Sequence, residues 1–287
     1  MADVIDQVKD ASPAGQARAR ALIVPREHGA WGLLLVPLFT GLAAGLGSAQ
    51  RLRPLTLFVV AALSLFWLRT PVESLLGSGP MTARTSRERW TAVIASAILA
   101  AAAGASLIAL MWGGRNLQLL FIGLIAASAF VVQTGLRGLG RKVRMQSQLA
   151  GAIGLTATAP AAYYLGTGQL GSRGLVLWLA NWVFACNQIH FVQLRIHATR
   201  AGTFAEKFAR GKFFFFTQIA LCVVLALATA RRVAPLLVIV AFLPALFRGT
   251  RWFFRQQEPL DVKKLGWSEM KQGAAFGILL ALAFIFR

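Results

Sequence analysis

Residues 91–112 read TAVIASAILAAAAGASLIALMW, a run without a charge or a proline. Wound as an α-helix at about 1.5 Å per residue, it reaches about 33 Å, enough to cross the roughly 30 Å hydrocarbon core of a bilayer. Similar apolar runs lie on both sides of it, at 30–48, 54–76, 117–136, 148–166, 174–194, 213–230, 234–247 and 270–286. The expected fold class is therefore an all-α integral membrane protein, a polytopic bundle of about nine transmembrane helices. The eighth run is short and carries Pro235 and Pro244, which also fits a re-entrant segment buried among neighbours. Composition agrees: 57% of residues are hydrophobic and 14% charged, with a mean hydropathy of +0.63, too apolar for an ordinary soluble domain.

Cytoplasmic loops collect Lys and Arg, and a nine-span chain with its N-terminus inside puts 23 of the 30 basic residues on the inner side. All ten acidic residues fall there too. The net charge of +20 then reads as positive-inside loops beside anionic lipid heads. Nucleic acid is excluded as a partner, because no stacking aromatics interleave with the basic residues as in a nucleic-acid groove. Residues 1–25 read as a cytoplasmic arm, flexible or lying on the surface, and 26–287 as one transmembrane domain. Cys186 and Cys222 fall inside apolar runs and read as packing residues, without a disulfide framework.

Trp90, Trp112, Trp178, Trp252 and Trp267 sit near run ends, where amphipathic rings favour the headgroup zone. Gly41-x-x-x-Gly45 and Gly273-x-x-x-Gly277 predict close helix–helix approach. The inner connections 69–90, 195–212 and 248–269 are the long ones, which places spare chain on the cytoplasmic face. Residues 248–269 mix Trp252, Phe253, Phe254 and Trp267 with basic residues and suit an interfacial amphipathic helix.

Polar and ionisable groups at membrane depth are costly and so mark candidate sites. Three clusters qualify. Arg26-Glu27-His28-Gly29 precedes the first span, where a helix N-terminus offers free N–H groups to an anion and Arg26 adds a bidentate fork; an Arg26–Glu27 pair at a juxtamembrane stop is the plainer alternative. Arg69 and Glu73 are spaced i, i+4 at the inner end of span two, with Pro71 between them. Where span six leaves the membrane, Asn187, His190, Gln193 and His197 follow helical spacing and are expected to line one polar face; interhelical hydrogen bonding is the structural alternative.

No aspartate stands between Asp10 and Asp261. A hard cation such as Mg²⁺ needs several oxygen ligands, usually carboxylates, so Glu73 with amides is a poor set and no cofactor is assured. The two histidines 190 and 197 lack a third ligand of a usual zinc set, a Ser-His-Asp triad lacks its acid, and glycine-rich nucleotide loops are absent.

Pro25-Arg26-Glu27-His28-Gly29-Ala30-Trp31 together with His190-Phe191-Val192-Gln193-Leu194-Arg195-Ile196 resembles the YwiC-like family of bacterial membrane proteins, which implies a multi-pass protein of the bacterial inner membrane. More distantly the chain is similar to UbiA-type intramembrane prenyltransferases, with nine helices and functional cytoplasmic loops after spans two and six. In that family aspartate motifs hold Mg²⁺ against a prenyl diphosphate; here those places carry Arg69, Glu73, Asn187, His190, Gln193 and Arg195. The resemblance implies an amphipathic isoprenoid or quinone-like ligand in a cytoplasm-facing cavity. Arg26, Arg69 and Arg195 would clamp its head, and His28, His190 and Gln193 would hydrogen-bond it, with Glu27, Asn187 and His197 beside them. A divergent prenyl transfer would use Glu73 and His190. The competing expectation is a transporter or an accessory subunit of a membrane complex, for which Pro235 and Pro244 hint at a broken helix.

Overall fold

The computed structural model describes residues 13–25, 28–46, 52–77, 81–112, 114, 117–256 and 260–286. Every regular element among them is helical: α1 (Pro13–Ile23), α2 (His28–Gly45), α3 (Leu52–Leu76), α4 (Ser86–Trp112), α5 (Leu117–Gly138), α6 (Arg144–Thr156), α7 (Thr158–Thr167), α8 (Gly171–His197), α9 (Phe204–Ala230), α10 (Leu236–Phe254) and α11 (Val262–Ile285), with one 3₁₀ turn at Arg141–Val143. Seven of these, α3, α4, α5 and α8–α11, are long and apolar enough to cross a membrane. The first and fifth predicted spans take other forms. The first is the shorter helix α2, and the fifth is divided at Ala157 into α6 and α7. Large apolar side chains such as Ile98, Phe121, Val131 and Phe213 are exposed, as helices facing lipid require.

The chain forms two units, residues 1–28 with 53–115 and residues 29–52 with 116–287. In the first, α1 packs on α4. Part of the arm expected to be flexible or surface-lying is thus a packed helix. Leu22 is fully buried, Arg18 Nε donates to Glu88 Oε1 at 2.5 Å, and Trp67 Nε1 donates to the Ile23 carbonyl at 2.8 Å. The carboxylate of Glu88 beside Arg18 raises the guanidinium pKa further. An Ala/Leu face and one ion pair suffice to anchor a segment that composition alone presents as polar.

In the second unit α8 is central, packed by α6, α7, α9 and α10. Its core stacks Phe184 on Phe276 of α11 at 3.8 Å between ring centroids, with Phe242 of α10 edge-on to both. Both glycine motifs hold helices close, as their spacing predicts. A Cβ on Gly41 would come within 2.8 Å of the Ala159 Cα in α7, and Gly277 lies against Val36 of α2. Asn181 Nδ2 donates to Thr40 Oγ1 at 3.0 Å and ties α8 to α2.

Three sequence expectations are corrected here. The long inner connections are largely helix. The Thr203–Glu206 capping box starts α9 at Phe204, and the Asp261 carboxylate caps α11 by accepting from the Lys263 and Lys264 N–H groups. Hydropathy finds only the apolar part of a helix, whereas caps fix where it begins. Second, the described residues of 248–269 belong to the ends of α10 and α11 and form no separate interfacial helix. Trp252 and Phe253 are buried at the end of α10 against Phe191, Leu194 and Phe214, while Phe254 and Trp267 are exposed. Third, α10 is continuous: Pro235 is its N-cap and Pro244 lies inside it. Neighbouring helices tolerate such a proline in a spanning segment.

Candidate functional site

Arg26 and Glu27 lie outside the described residues, and His28 is the first residue of α2. In the first unit Arg69 Nε donates to Glu73 Oε1 at 2.7 Å, with both side chains about four-fifths buried. Pro71 does not break α3, so the i, i+4 pair forms on one helix turn. The only membrane-depth carboxylate of the predicted set is therefore engaged by its own neighbour.

The other predicted residues belong to α8 in the second unit, where their side chains meet different neighbours. Gln193 Nε2 donates to Gln148 Oε1 of α6 at 2.8 Å. The His190 ring meets Phe214 edge-on at 5.0 Å and Phe213 at 5.4 Å, both on α9. His197 Nδ1 sits 2.7 Å from the Gln193 carbonyl of its own helix. Asn187 is buried, and its Oδ1 takes no hydrogen bond within the protein. The stripe covers an arc of about 120° on α8, wide enough that its members reach α6 on one side and α9 on the other.

Following Phe191 and Arg195 rather than His190 leads to a polar cluster that the sequence reading did not assign. Arg248 of α10 is ion-paired through Nη1 to Glu269 Oε1 of α11, and the two side chains are only 13% and 10% exposed. The Arg248 guanidinium lies 4.2 Å over the Phe191 ring, a cation–π contact that favours charge in a place with little water. Gln188 Nε2 donates to the Glu269 backbone carbonyl at 3.2 Å. Arg195 lies within Coulombic reach of Arg248, Glu269 and Lys207. Lys207 itself is satisfied, since its Nζ donates to the Trp252 carbonyl at 3.2 Å and to that of Arg255, at the C-terminal end of α10. Cations there meet the negative end of the helix dipole.

Amides follow one layer deeper. The Phe191 and Phe214 rings are in contact, and α8 and α9 run antiparallel across the 198–203 connection. Asn187, one turn before Phe191, and Gln218, one turn after Phe214, therefore lie on the same side of that contact, about 6 Å further along the helix axes. Gln272 is displaced from Glu269 in the same sense. Gln218 is 2% exposed and neither its Oε1 nor its Nε2 is paired. A Cβ on Gly249 would meet its Oε1 at 3.2 Å. Arg248 keeps Nε and Nη2 unpaired as well, as Glu269 keeps Oε2 and Gln272 keeps Oε1.

Unpaired buried polar groups carry a desolvation cost of about 1–3 kcal/mol each, more when charged, so such an accumulation marks a place kept for something other than packing. The cluster offers an anion-binding guanidinium edge, a second cation in Arg195 and amide groups for orientation. Among the described residues no group of three or more His, Cys, Asp or Glu is placed to hold a metal ion. Two features of the sequence pointed here: Gln218 interrupts an apolar run, and Glu269 opens another.

A bundle of apolar helices with a buried ionic and amide cluster defines a multi-pass membrane protein. A family model described as YwiC-like protein matches residues 24–163, just under half of the chain, and in that stretch the chain is similar to the YwiC-like family. The buried cluster lies wholly beyond the matched stretch. No curated protein and no solved structure matches the chain.

Proposed function

We propose that this protein binds an amphipathic ligand, isoprenoid or quinone-like, by its polar or anionic head at the cluster around Arg248. The observation that carries this reading is the buried Arg248 guanidinium, which pairs with Glu269 yet leaves Nε and Nη2 unpaired. Arginine's fork suits phosphate and carboxylate, and Arg195 adds a second cation. The orientation follows from the distribution of basic residues, which puts the N-terminus, and the ends of α8, α10 and α11 that carry the cluster, on the cytoplasmic side of a bacterial inner membrane. With α2 and the broken α6–α7 pair also crossing, the chain makes nine passes, the number in the UbiA-type family to which the sequence is similar. Binding is favoured over prenyl transfer, because Glu73 is held by Arg69 and His190 packs against the rings of Phe213 and Phe214.

The test is lipid extraction and mass spectrometry of the purified protein, with an assay of diphosphate release from prenyl diphosphates with and without Mg²⁺. A specific co-purifying amphiphile that is lost on Arg248→Met is the expected result. Only bulk phospholipid, unchanged in the variant, refutes the reading and favours an accessory subunit. Metal-dependent diphosphate release would restore the transferase.

A further inference from the structure

The unpaired atoms of the cluster also restrict the head group it can take. Among the described residues, every buried side-chain nitrogen or oxygen without a hydrogen-bond partner lies on α8–α11. Four are N–H donors: Nε and Nη2 of Arg248, Nε2 of Gln218 and the indole Nε1 of Trp182. Five are acceptors: Oε2 of Glu269 and the amide oxygens of Asn181, Asn187, Gln218 and Gln272. Turning an amide end for end exchanges positions but leaves it one acceptor oxygen and one donor NH₂, so the mixture of donors and acceptors survives.

A quinone or a fully ionised diphosphate only accepts hydrogen bonds. Either would serve the guanidinium edge and leave the carboxylate and amide oxygens unmet, each at its desolvation cost. A site that hydrogen-bonds a ligand's O–H or N–H rejects the analogue lacking it far more strongly than an apolar pocket rejects a missing methylene. Gln218 and Asn187 are at least nine-tenths buried, so bulk solvent does not meet the deficit.

Resting on the headgroup reading above, we infer that the cluster selects a head that joins an anion to its own O–H or N–H donors. The anion lies on the free edge of Arg248, and the donors face Glu269 Oε2 and the oxygens of Gln218 and Gln272. A phosphoglycerol head and an amino-bearing acidic head both fit this chemistry, either on a lipid or as a free solute.

The experiment is thermal unfolding of the full chain in detergent, titrated with short-chain probes. Dioctanoyl phosphatidylglycerol and dioctanoyl phosphatidylserine carry anion and donor, and free glycerol 3-phosphate tests the soluble source. Dioctanoyl phosphatidylmethanol and a short-chain quinone lack the head donor. At least one donor-bearing probe is expected to bind on the order of tenfold more tightly than phosphatidylmethanol, about the effect of one well-made hydrogen bond. Gln218→Leu is expected to erase that preference without lowering the unliganded melting temperature, since it removes two unpaired polar atoms; Gln272→Leu serves if the first variant does not fold. Equal or tighter binding of phosphatidylmethanol or the quinone overturns this inference but leaves headgroup binding intact. No binding by any probe overturns this inference, and headgroup binding falls with it only if lipid extraction also yields no amphiphile that depends on Arg248. A tenfold preference unchanged in the variants assigns selection elsewhere and also overturns it.

Discussion

Removing Glu269 isolates a buried arginine. In Glu269→Met, Arg248 retains the Phe191 ring at 4.2 Å but loses the carboxylate bonded to it, while Arg195 stays within Coulombic reach. Breaking one side of a buried pair costs about 3–5 kcal/mol, and the cation–π contact, present with or without Glu269, offsets none of it. Arginine cannot shed its proton to escape. Arg248→Met is milder, because the stranded carboxylate can take up a proton and Arg195 remains near it. The double variant removes both desolvation costs and is expected near the wild type or above it, since apolar replacement of a buried pair is neutral or stabilising by about 1–4 kcal/mol. At about 2–4 °C per kcal/mol for a chain of this size, Glu269→Met should lower the melting temperature in detergent by about 6–20 °C, Arg248→Met by less, and the double variant should recover. The reasoning fails if both single variants melt within about 2 °C of the wild type, or if the double variant falls by the sum of the two.

Two further outcomes follow from packing and topology. Gly41→Ala drives a methyl into the Ala159 backbone of α7 and should cost about 1–3 kcal/mol in the same melt, whereas Gly104→Ala, with nothing within 4 Å, should stay within about 0.5 kcal/mol; equal effects would show that α2 and α7 are not in contact. With Cys186 and Cys222 replaced by alanine, single cysteines at Arg200 and Arg231, which flank α9, should react with an impermeant maleimide from opposite sides of the membrane, Arg231→Cys from outside. Labelling of both from one side contradicts the crossing.

The predicted site was only partly legible. The spacing of Arg69 and Glu73 foretold their bond because an i, i+4 pair is local to one helix turn. The spacing of Asn187, His190, Gln193 and His197 placed them on one helix but misjudged their surroundings, since no periodicity within α8 says that α6 touches Gln193 and α9 touches His190. Arg248 and Glu269, 21 residues apart, read as separate members of a basic loop because hydropathy ended α10 near residue 247 and began α11 near 270.

The sequence by itself determined that this is a helical membrane protein, where its apolar runs lie, and which glycines let helices touch. Those are properties of composition and of the 3.6-residue period, each contained within one stretch of chain. Only the tertiary structure decided that polar ends of α8, α10 and α11 close on one another around Arg248 with their amides unpaired. Partner choice between helices depends on side chains fitting across a contact, and a buried charge finds its counterion in space, wherever along the chain that counterion happens to be.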